Sequence, residues 1–433
     1  MATAKMPVMY AFGSNGSGQL GVGHTRDVVR PERCLFSFKQ RQRQSRRGDG
    51  TEVSHLDSHS DADGIGHGYG SSNSEALPVT AQALSVKKIV AGGNHSLVLT
   101  TDGRLFVAGK SGLTSDDPGA ERESTSNAVF EEVTRHILSS SAASSDTGRR
   151  CNGVITDAAA TWDASFAVLG SKIIVGWGTG TKGELGLGPK MTSTGSQVRE
   201  IFDAGSVTRR GEAIDIIDIV GSLAHVVVLL ASGQVYGWGS CRKGQLGEQF
   251  KTEKILWSPR NIGLGIHGED LLPWVPEKVV LGREYTVFIK AGKEPATWGD
   301  TRVFDGRGPG LISRADDVVT SGWSSIHILS RARPDQLQSA GRNNHGQLPP
   351  STLPAVKNVA AGSEHCIALT MDNQVIAWGW GEHGNCGETL DDRGNVIDRY
   401  NLIPLPTPDE DIVAKNVAAG CATSFVVCGM KDG

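Results

Sequence analysis

Short stretches of alternating apolar and polar residues recur along the chain, and turn-forming dipeptides separate them. Two clear examples run over 96–100 and 374–378. Alternation over this length is typical of β-strands with one buried face. The dipeptides Asp-Gly, Ser-Gly and Asp-Asn between neighbouring runs favour a positive φ, which two-residue hairpin loops need. The pattern therefore predicts a chain built from antiparallel β-hairpins.

Two signatures recur, each of them seven times. The first is a strand that ends in an aromatic or small residue followed by glycine, at Phe12-Gly13, Ala108-Gly109, Trp177-Gly178, Trp238-Gly239, Trp298-Gly299, Ala340-Gly341 and Trp378-Gly379. The second is a turn of small residues before an alternating strand, at Ala91-Gly92, Ala159-Ala160, Gly221-Ser222, Gly282, Gly322, Ala361-Gly362 and Ala419-Gly420. Repetition on this scale indicates one large domain made of small units that cannot bury a core separately.

The spacing inside the repeat is constant in three units. His95 precedes Gly103 by 8 residues and Gly109 by 14, His225 has the same offsets to Gly233 and Gly239, and His365 has them to Asn373 and Gly379. The last repeated glycines are 60, 42 and 38 residues apart, close to the roughly 40–50 residues of one propeller blade. The sequence thus favours a radial array over a sandwich.

The two ends of the chain resemble the two complementary halves of one repeat. Residues 10–21 resemble the second half of a repeat, and residues 416–428 resemble the first half. Pairing of the halves in one blade closes the ring and removes exposed sheet edges. We therefore predict an all-β fold, a seven-bladed β-propeller that forms a single domain over residues 1–433.

Composition and charge narrow the range of functions that the protein can have. The 56 glycines imply many tight turns, and the net charge of −4 argues against a protein that binds nucleic acid through a basic surface. The seven cysteines show no paired spacing, and residues 1–10 do not resemble a secretory signal. No apolar stretch approaches the length of a membrane span. We expect a protein of the cytoplasm, and also of the nucleus, that contacts neither membrane nor DNA.

Several segments resemble the regulator-of-chromosome-condensation repeat family. The resemblance extends over almost the whole chain and is carried by residues 10–21 (YAFGSNGSGQLG), 236–247 (YGWGSCRKGQLG) and 359–365 (VAAGSEH). A narrower resemblance, to the alpha-tubulin suppressor proteins of fungi, rests on Tyr10 to Leu20 and residues 92–96, 322–327, 378–387 and 420–424. In residues 378–387, Asn385-Cys386 replaces the usual Gln-Leu and Trp380 follows Trp378.

The narrower resemblance implies a binding function. Its partner would be the third diphthamide-biosynthesis protein, a small zinc-containing electron carrier that serves diphthamide synthesis and the Elongator-linked modification of tRNA wobble uridines. The protein would then be a monomeric propeller in a heterodimer with that carrier. Alternatives are guanine-nucleotide exchange on a Ran-like small GTPase and regulation of microtubules or the cell cycle, and the fold alone does not decide between them.

Two segments interrupt the repeat. Residues 39–78 contain the basic run 39–47 and a stretch rich in Gly, Ser, Asp and His, and we predict a disordered insertion there. The basic run is interpreted as a solvated loop, with a nuclear signal or RNA contact as the alternative. Residues 111–150 form a second, partly disordered insertion that ends in a serine-rich tract, with a strand or short helix over 128–138. Such loops emerge on one face of a propeller, where partners often bind.

Residues that recur at one repeat position are predicted to be structural. This group comprises His95, His225, His365, Trp177, Trp238, Trp298 and Trp378. The histidines should hydrogen-bond within or between blades, and the tryptophans should wedge between blades.

Eight further residues are the candidate partner contacts, and the three tryptophans among them lie outside that register. They are Trp162, Trp323, Trp380, Glu382, His383 and Asn385, with Cys421 and Thr423 on the closing blade. Partly exposed tryptophans are frequent anchors at interfaces. Glu382, His383, Cys386, Cys366 and Cys421 could be drawn as a zinc site, but no Cys-x2-Cys pair supports it. We predict no catalytic residue, metal or cofactor, because nucleophile, phosphate-loop and paired-carboxylate motifs are missing from the sequence.

Overall fold

The computed structural model describes residues 8–37, 85–113, 127–144, 153–207, 214–306, 308–406 and 411–431. These residues form seven sheets, antiparallel except for the pairing of one short strand, so the predicted seven-bladed propeller is confirmed. We number the blades 1 to 7 by their innermost strands in chain order, and we number the strands of each blade outwards from the central channel. The predicted insertion at 39–78 lies outside the described residues.

The first three blades have four or more strands each. Blade 1 contains β4 (Val86–Ala91), β5 (His95–Thr100), β6 (Leu105–Gly109) and β7 (Asn127–Glu132), and β3 (Phe36–Ser37) pairs with β7 in parallel. Blade 2 contains β8 (Ile155–Ala160), β9 (Ala164–Leu169), β10 (Ile173–Gly178) and β11 (Arg199–Asp203). Blade 3 contains β12 (Ile216–Gly221), β13 (His225–Leu230), β14 (Val235–Ser240) and β15 (Ile255–Asn261).

The next three blades complete the middle of the ring. Blade 4 contains β16 (Lys278–Leu281), β17 (Tyr285–Ile289) and β18 (Ala296–Gly299), and blade 5 contains β19 (Val318–Ser321), β20 (Ser325–Leu329) and β21 (Leu337–Gly341). Blade 6 contains β22 (Val356–Ala361), β23 (His365–Thr370), β24 (Val375–Trp380) and β25 (Asn395–Leu402).

Blade 7 closes the ring with strands from both ends of the chain. It contains β26 (Ile412–Ala419), β27 (Thr423–Met430), β1 (Val8–Gly13) and β2 (Val28–Arg33). Strand β1 pairs with β27 in a continuous antiparallel register from Val8 and Cys428 to Gly13 and Thr423. The predicted pairing of the two half-units is thereby confirmed.

Helices are few and short. They are α1 (Thr134–Ser144), α2 (Ala204–Val207) and 3₁₀ turns at Glu248–Phe250 and Thr301–Phe304. Strand β7 and α1 lie within the segment 111–150 that we interpreted as an insertion. Because β7 is the fourth strand of blade 1, at least that part belongs to the blade, whereas 114–126 and 145–152 lie outside the described residues. No helix in the described part of the chain has the length and apolar character that crossing a membrane requires.

The hydrophobic core lies between the blades. The second strands carry almost uninterrupted buried residues, for example all six residues of β5 and of β13, and so do the third strands outside blades 4 and 5. Each sheet covers its neighbour on both sides, so these strands need not alternate apolar and polar positions. Neighbouring first strands contact one another around the ring, including β26 with β4 across the closure, and they surround a central channel.

One face of the ring carries two kinds of turn. In an antiparallel meander the connection between strands one and two leaves the same edge as the connection between strands three and four. A repeated main-chain hydrogen bond joins them: Ser240 N donates to Ala224 O in blade 3 and Trp380 N to Glu364 O in blade 6, at 2.7 and 2.9 Å. We call this the mouth face, because one end of the channel opens on it.

Candidate functional site

The mouth of the channel is bordered by one residue from each blade. Each lies two positions before the start of the second strand, and together they form what we call the mouth ring: Gly93, Trp162, Leu223, Arg283, Trp323, Ser363 and Cys421. Three of the predicted contact residues, Trp162, Trp323 and Cys421, therefore occupy a single repeat position. The same offset from the second strand would have identified Leu223 and Arg283, which the sequence interpretation missed.

Main-chain hydrogen bonds fix the mouth ring in place. Gly93 N donates to Trp162 O at 2.8 Å and Trp162 N to Leu223 O at 3.2 Å. On the other side, Arg283 N donates to Trp323 O at 3.0 Å and Trp323 N to Ser363 O at 2.7 Å. These bonds run from blade to blade, so the mouth presents its side chains from a rigid frame rather than from free loops.

Two tryptophans meet across the mouth. The rings of Trp162, from blade 2, and Trp323, from blade 5, have centroids 5.9 Å apart and are tilted by 38°. The guanidinium carbon of Arg283 lies 5.5 Å from the Trp323 centroid, which is a cation–π distance. Trp162 is 36% exposed and Trp323 is half-buried. A rigid, partly exposed aromatic pair with an arginine is the composition typical of interface anchors.

Beneath the tryptophans lies a cavity of about 380 Å³ that extends down the channel. Its walls are the first strands, with small residues such as Ala160, Gly221 and Ala361 near the mouth. A second ring of equivalent positions, seven residues before each second strand, forms the floor: Lys88, Asp157, Asp218, Lys278, Val318, Asn358 and Asn416.

Hydrogen bonds and one ion pair hold the floor together. Lys88 Nζ lies 2.8 Å from Asp157 Oδ1, and the side chains of Asn358 and Asn416 are hydrogen-bonded to each other. Five first strands contain a β-bulge at this level. The side-chain oxygen of Asp157 accepts the N–H of Ala158 at 2.7 Å, and Asn358 and Asn416 do the same with the next residue. These oxygens therefore satisfy main-chain groups next to the bulge.

A second group of predicted residues lies further out on the same face. Trp380 is the last residue of β24, and Glu382 and His383 lie in the connection between β24 and β25. The Trp380 and His383 rings meet edge to face with centroids 5.3 Å apart, and His383 Nδ1 lies 2.8 Å from Asp27 Oδ2 of blade 7. Trp380 and His383 are half-buried, and Glu382 is exposed. This group can contact a partner only beside the mouth ring.

Asn385 and Thr423 are not face residues, and their placement corrects the prediction. Both are fully buried. Asn385 of blade 6 occupies the repeat position that holds Gln245 in blade 3. Its Nδ2 donates to Trp380 O at 2.7 Å, and its main-chain oxygen accepts from Ser424 Oγ at 2.9 Å. Their polar atoms therefore face the blade junctions rather than a partner.

Burial disfavours the thiolate form of the candidate cysteines. Burial raises the pKa of the Cys421 thiol to about 11, so little nucleophilic thiolate forms near neutral pH. Within the described ranges no three His, Cys, Asp or Glu side chains are placed to hold a metal ion. Cys366 and Cys386, which could be drawn into a zinc site, are fully buried.

Comparison with known proteins agrees with this geometry. The family model "Regulator of chromosome condensation (RCC1) repeat" matches residues 86–113 and 356–385. An RCC1 repeat-containing protein of Schizosaccharomyces pombe is 28% identical over 345 residues, which cover 79% of this chain and 90% of the relative. The solved structure of Prp20p from Saccharomyces cerevisiae has a TM-score of 0.65 at 17% identity and covers 100% of this chain and 94% of its own.

The chain contains repeats of the RCC1 type and resembles the proteins of the RCC1 repeat superfamily. A further relative, the secretion-regulating guanine nucleotide exchange factor of Mus musculus, is 22% identical over an alignment that covers 97% of this chain and 83% of that protein. Prp20p is described as binding Gsp1p and histones. Members of the superfamily thus include exchange factors and protein-binding propellers.

Two of the three repeated histidines hydrogen-bond across blade junctions as predicted, whereas neither ring nitrogen of His95 has a hydrogen-bond partner among the described residues. His225 Nε2 lies 3.3 Å from Thr286 Oγ1 of blade 4, and that hydroxyl donates to Gln245 O at 2.7 Å. His365 Nε2 lies 3.0 Å from Ser424 Oγ in the same arrangement. Because each hydroxyl gives its proton to the carbonyl, it accepts from Nε2–H of the histidine. Burial lowers the pKa of both imidazoles to about 4 and keeps them neutral.

Three of the four repeated tryptophans are fully buried. Trp238 Nε1 donates to Glu184 O of blade 2 at 2.6 Å, and Trp378 Nε1 donates to Gln347 O of blade 5 at 3.1 Å. Trp177 is buried as well, but its Nε1 has no hydrogen-bond partner among the described residues. Trp298 departs from the prediction, because it is half-buried and its ring packs edge-on against Phe288 of its own blade, with centroids 4.8 Å apart.

Proposed function

We propose that this RCC1 repeat protein is a non-enzymatic binding platform that takes a protein partner on its mouth face. The observation that carries the proposal is the pair Trp162 and Trp323, held across the channel by main-chain hydrogen bonds and flanked by Arg283. Tryptophan and arginine at the centre of a contact surface supply most of the binding energy in many interfaces. Trp380, Glu382 and His383 extend the surface outwards over blade 6.

The partner that we propose is the small zinc-containing electron carrier of diphthamide biosynthesis. Support for this choice is the resemblance of residues 378–387 and 420–424 to the alpha-tubulin suppressor proteins, since both segments lie at the mouth face. Binding of that carrier would connect the propeller to diphthamide synthesis and to Elongator-linked modification of wobble uridines. The platform would then position the carrier for its own electron transfer without taking part in the chemistry.

The test is a titration of the purified propeller with the purified, zinc-loaded carrier. We expect the Trp162→Ala and Trp323→Ala double variant to weaken binding by at least about tenfold, because both anchors are lost. Met371→Ala is the matched control, because Met371 is 53% exposed on a β23–β24 hairpin at the opposite face. Unchanged affinity of the double variant, or an equal loss in the control, would remove the mouth face from the interface.

A second candidate function is guanine-nucleotide exchange on a Ran-like small GTPase. It is favoured by the full-length likeness to the secretion-regulating exchange factor and by the fold shared with Prp20p. The discriminating experiment follows release of fluorescent GDP from a panel of small GTPases with and without the propeller. Acceleration by the propeller, together with no affinity for the carrier, would replace the first candidate with the second.

A further inference from the structure

The channel is continuous from the mouth to the floor, and its opening lies to one side. The cavity contacts the tryptophan pair at the top and Lys88 and Asp218 at the bottom. Leu223 and Arg283 occupy the mouth ring on the blade 3 and blade 4 side. On the blade 6 and blade 7 side the ring holds only the small side chains Ser363 and Cys421, so a ligand can enter there beside the indole faces.

The floor carries an excess of negative charge at Asp218. Lys88 Nζ is already engaged by Asp157 Oδ1 at 2.8 Å, and it also approaches Ile219 O at 3.4 Å. Burial raises the pKa of the Asp218 carboxyl above its ordinary value, and main-chain groups at Ile219 and Val279 donate hydrogen bonds to it. The floor ring holds two lysines and two aspartates, but Lys278 Nζ is occupied by Ala315 O and Asp317 O. The local group Lys88, Asp157 and Asp218 therefore has a net charge of −1 when both carboxyls are ionised, and a second cation beside Asp218 would stabilise that charge.

The depth of the channel selects a long ligand. Asp218 lies three residues before Gly221, where β12 ends, and at about 3.3 Å per residue the channel is about 10 Å deep below the turn that carries Leu223. The side chain of a single lysine on a partner surface is shorter than that distance. A linear chain with ammonium groups at both ends can reach Asp218 and still place its second charge at the aromatic mouth. Indole faces attract such cations.

We propose that the channel is a binding site for a linear polyamine, with one ammonium at Asp218 and another against Trp162 at the mouth. The proposal does not rest on the proposed function, because it concerns the interior of the channel rather than the outer surface. The cavity of about 380 Å³ has room for an extended aliphatic chain of this kind. The small walls, Ala160, Gly221 and Ala361 among them, leave that space open.

The experiment is calorimetric titration of the full chain with spermidine. We expect one saturable site that is lost with the neutral chain 1,8-octanediol, because the floor recognises charge. The peptide Ac-Gly-Lys-Gly-NH2, which carries one short ammonium, should bind at least about tenfold more weakly than spermidine. Absence of a saturable site for spermidine, or tighter binding of the peptide or the diol, would overturn the proposal.

Variants locate the site. Asp218→Asn keeps an oxygen for the main-chain hydrogen bonds but removes the charge, and it should weaken spermidine binding by about tenfold. Asp392→Asn, which alters an exposed carboxylate away from the channel, should bind as the original protein does. If Asp218→Asn fails to fold, Trp162→Leu tests the other end of the site, with an expected loss of about fivefold. Normal spermidine binding by a folded Asp218→Asn or Trp162→Leu protein would refute the assignment.

Discussion

Single side chains complete the junctions between blades by donating to main-chain carbonyls of the neighbouring blade. Trp238 and Trp378 donate an indole N–H to Glu184 O and Gln347 O, whereas the N–H of the equally buried Trp177 has no acceptor in the part of the chain that the structure describes. A buried donor without a partner costs about 1–3 kcal/mol. Tryptophan at this repeat position therefore contributes less to the free energy of unfolding in blade 2 than in blades 3 and 6.

We expect Trp238→Phe to destabilise the protein more than Trp177→Phe does, by about 1–2 kcal/mol. Both substitutions remove a similar volume from the core, so the cavity contribution is shared. Only Trp238→Phe breaks a hydrogen bond and leaves Glu184 O without its indole donor. Urea unfolding of the two variants measures the difference. Equal losses of unfolding free energy would show that the indole hydrogen bond contributes nothing at this junction.

The elements follow a constant pattern in which a glycine is the last or the second-last residue of the third strand in every blade. Gly239 has φ of 100°, and a Cβ there would lie 2.4 Å from Ala224 O. The close approach is what allows Ser240 N to donate to that carbonyl at 2.7 Å. The glycine thus couples the two turns of the mouth face within its blade.

Gly239→Ala should destabilise the protein by about 2–4 kcal/mol, because both the left-handed backbone and the close carbonyl exclude a Cβ. Gly263→Ala is the control, since it also lies in blade 3 but the nearest atom to its added Cβ is 3.6 Å away. Thermal unfolding of both variants tests the expectation. A midpoint for Gly239→Ala that matches that of the control would contradict it.

Much of this element pattern could be predicted from the sequence, whereas the mouth could not. Turn dipeptides such as Asp102-Gly103 predict hairpins because positive φ is a local property, and Gly103 has φ of 82°. The contact between Trp162 and Trp323 depends on blades 2 and 5 facing each other across a closed ring, which no local pattern encodes. Asn385 was misplaced for the same reason, because the neighbouring blade determines its burial.

The whole ring depends on neutral histidines buried between its blades. His95, His225, His327 and His365 are fully or almost fully buried, and burial lowers each pKa from the ordinary 6.5 to about 4. As the pH falls below 6.5, the unfolded chain binds protons on these residues while the folded ring does not. The contribution of the neutral histidines to the free energy of unfolding is therefore fully present above pH 6.5 and decreases as the pH approaches 4. Each histidine contributes up to about 1.4 kcal/mol per pH unit within that window.

We therefore expect the urea midpoint to fall steeply between pH 7 and pH 5. The decline should be cooperative, because the first strand of each blade contacts its neighbours around the closed ring and one weakened junction affects them all. His365→Gln removes one of the four titrating groups and should flatten the pH dependence by about a quarter, although it lowers stability at pH 7. His267→Gln changes an exposed histidine and should leave the slope as it is. A midpoint that is constant from pH 7 to pH 5 would mean that the blade junctions accept protonated histidines without opening.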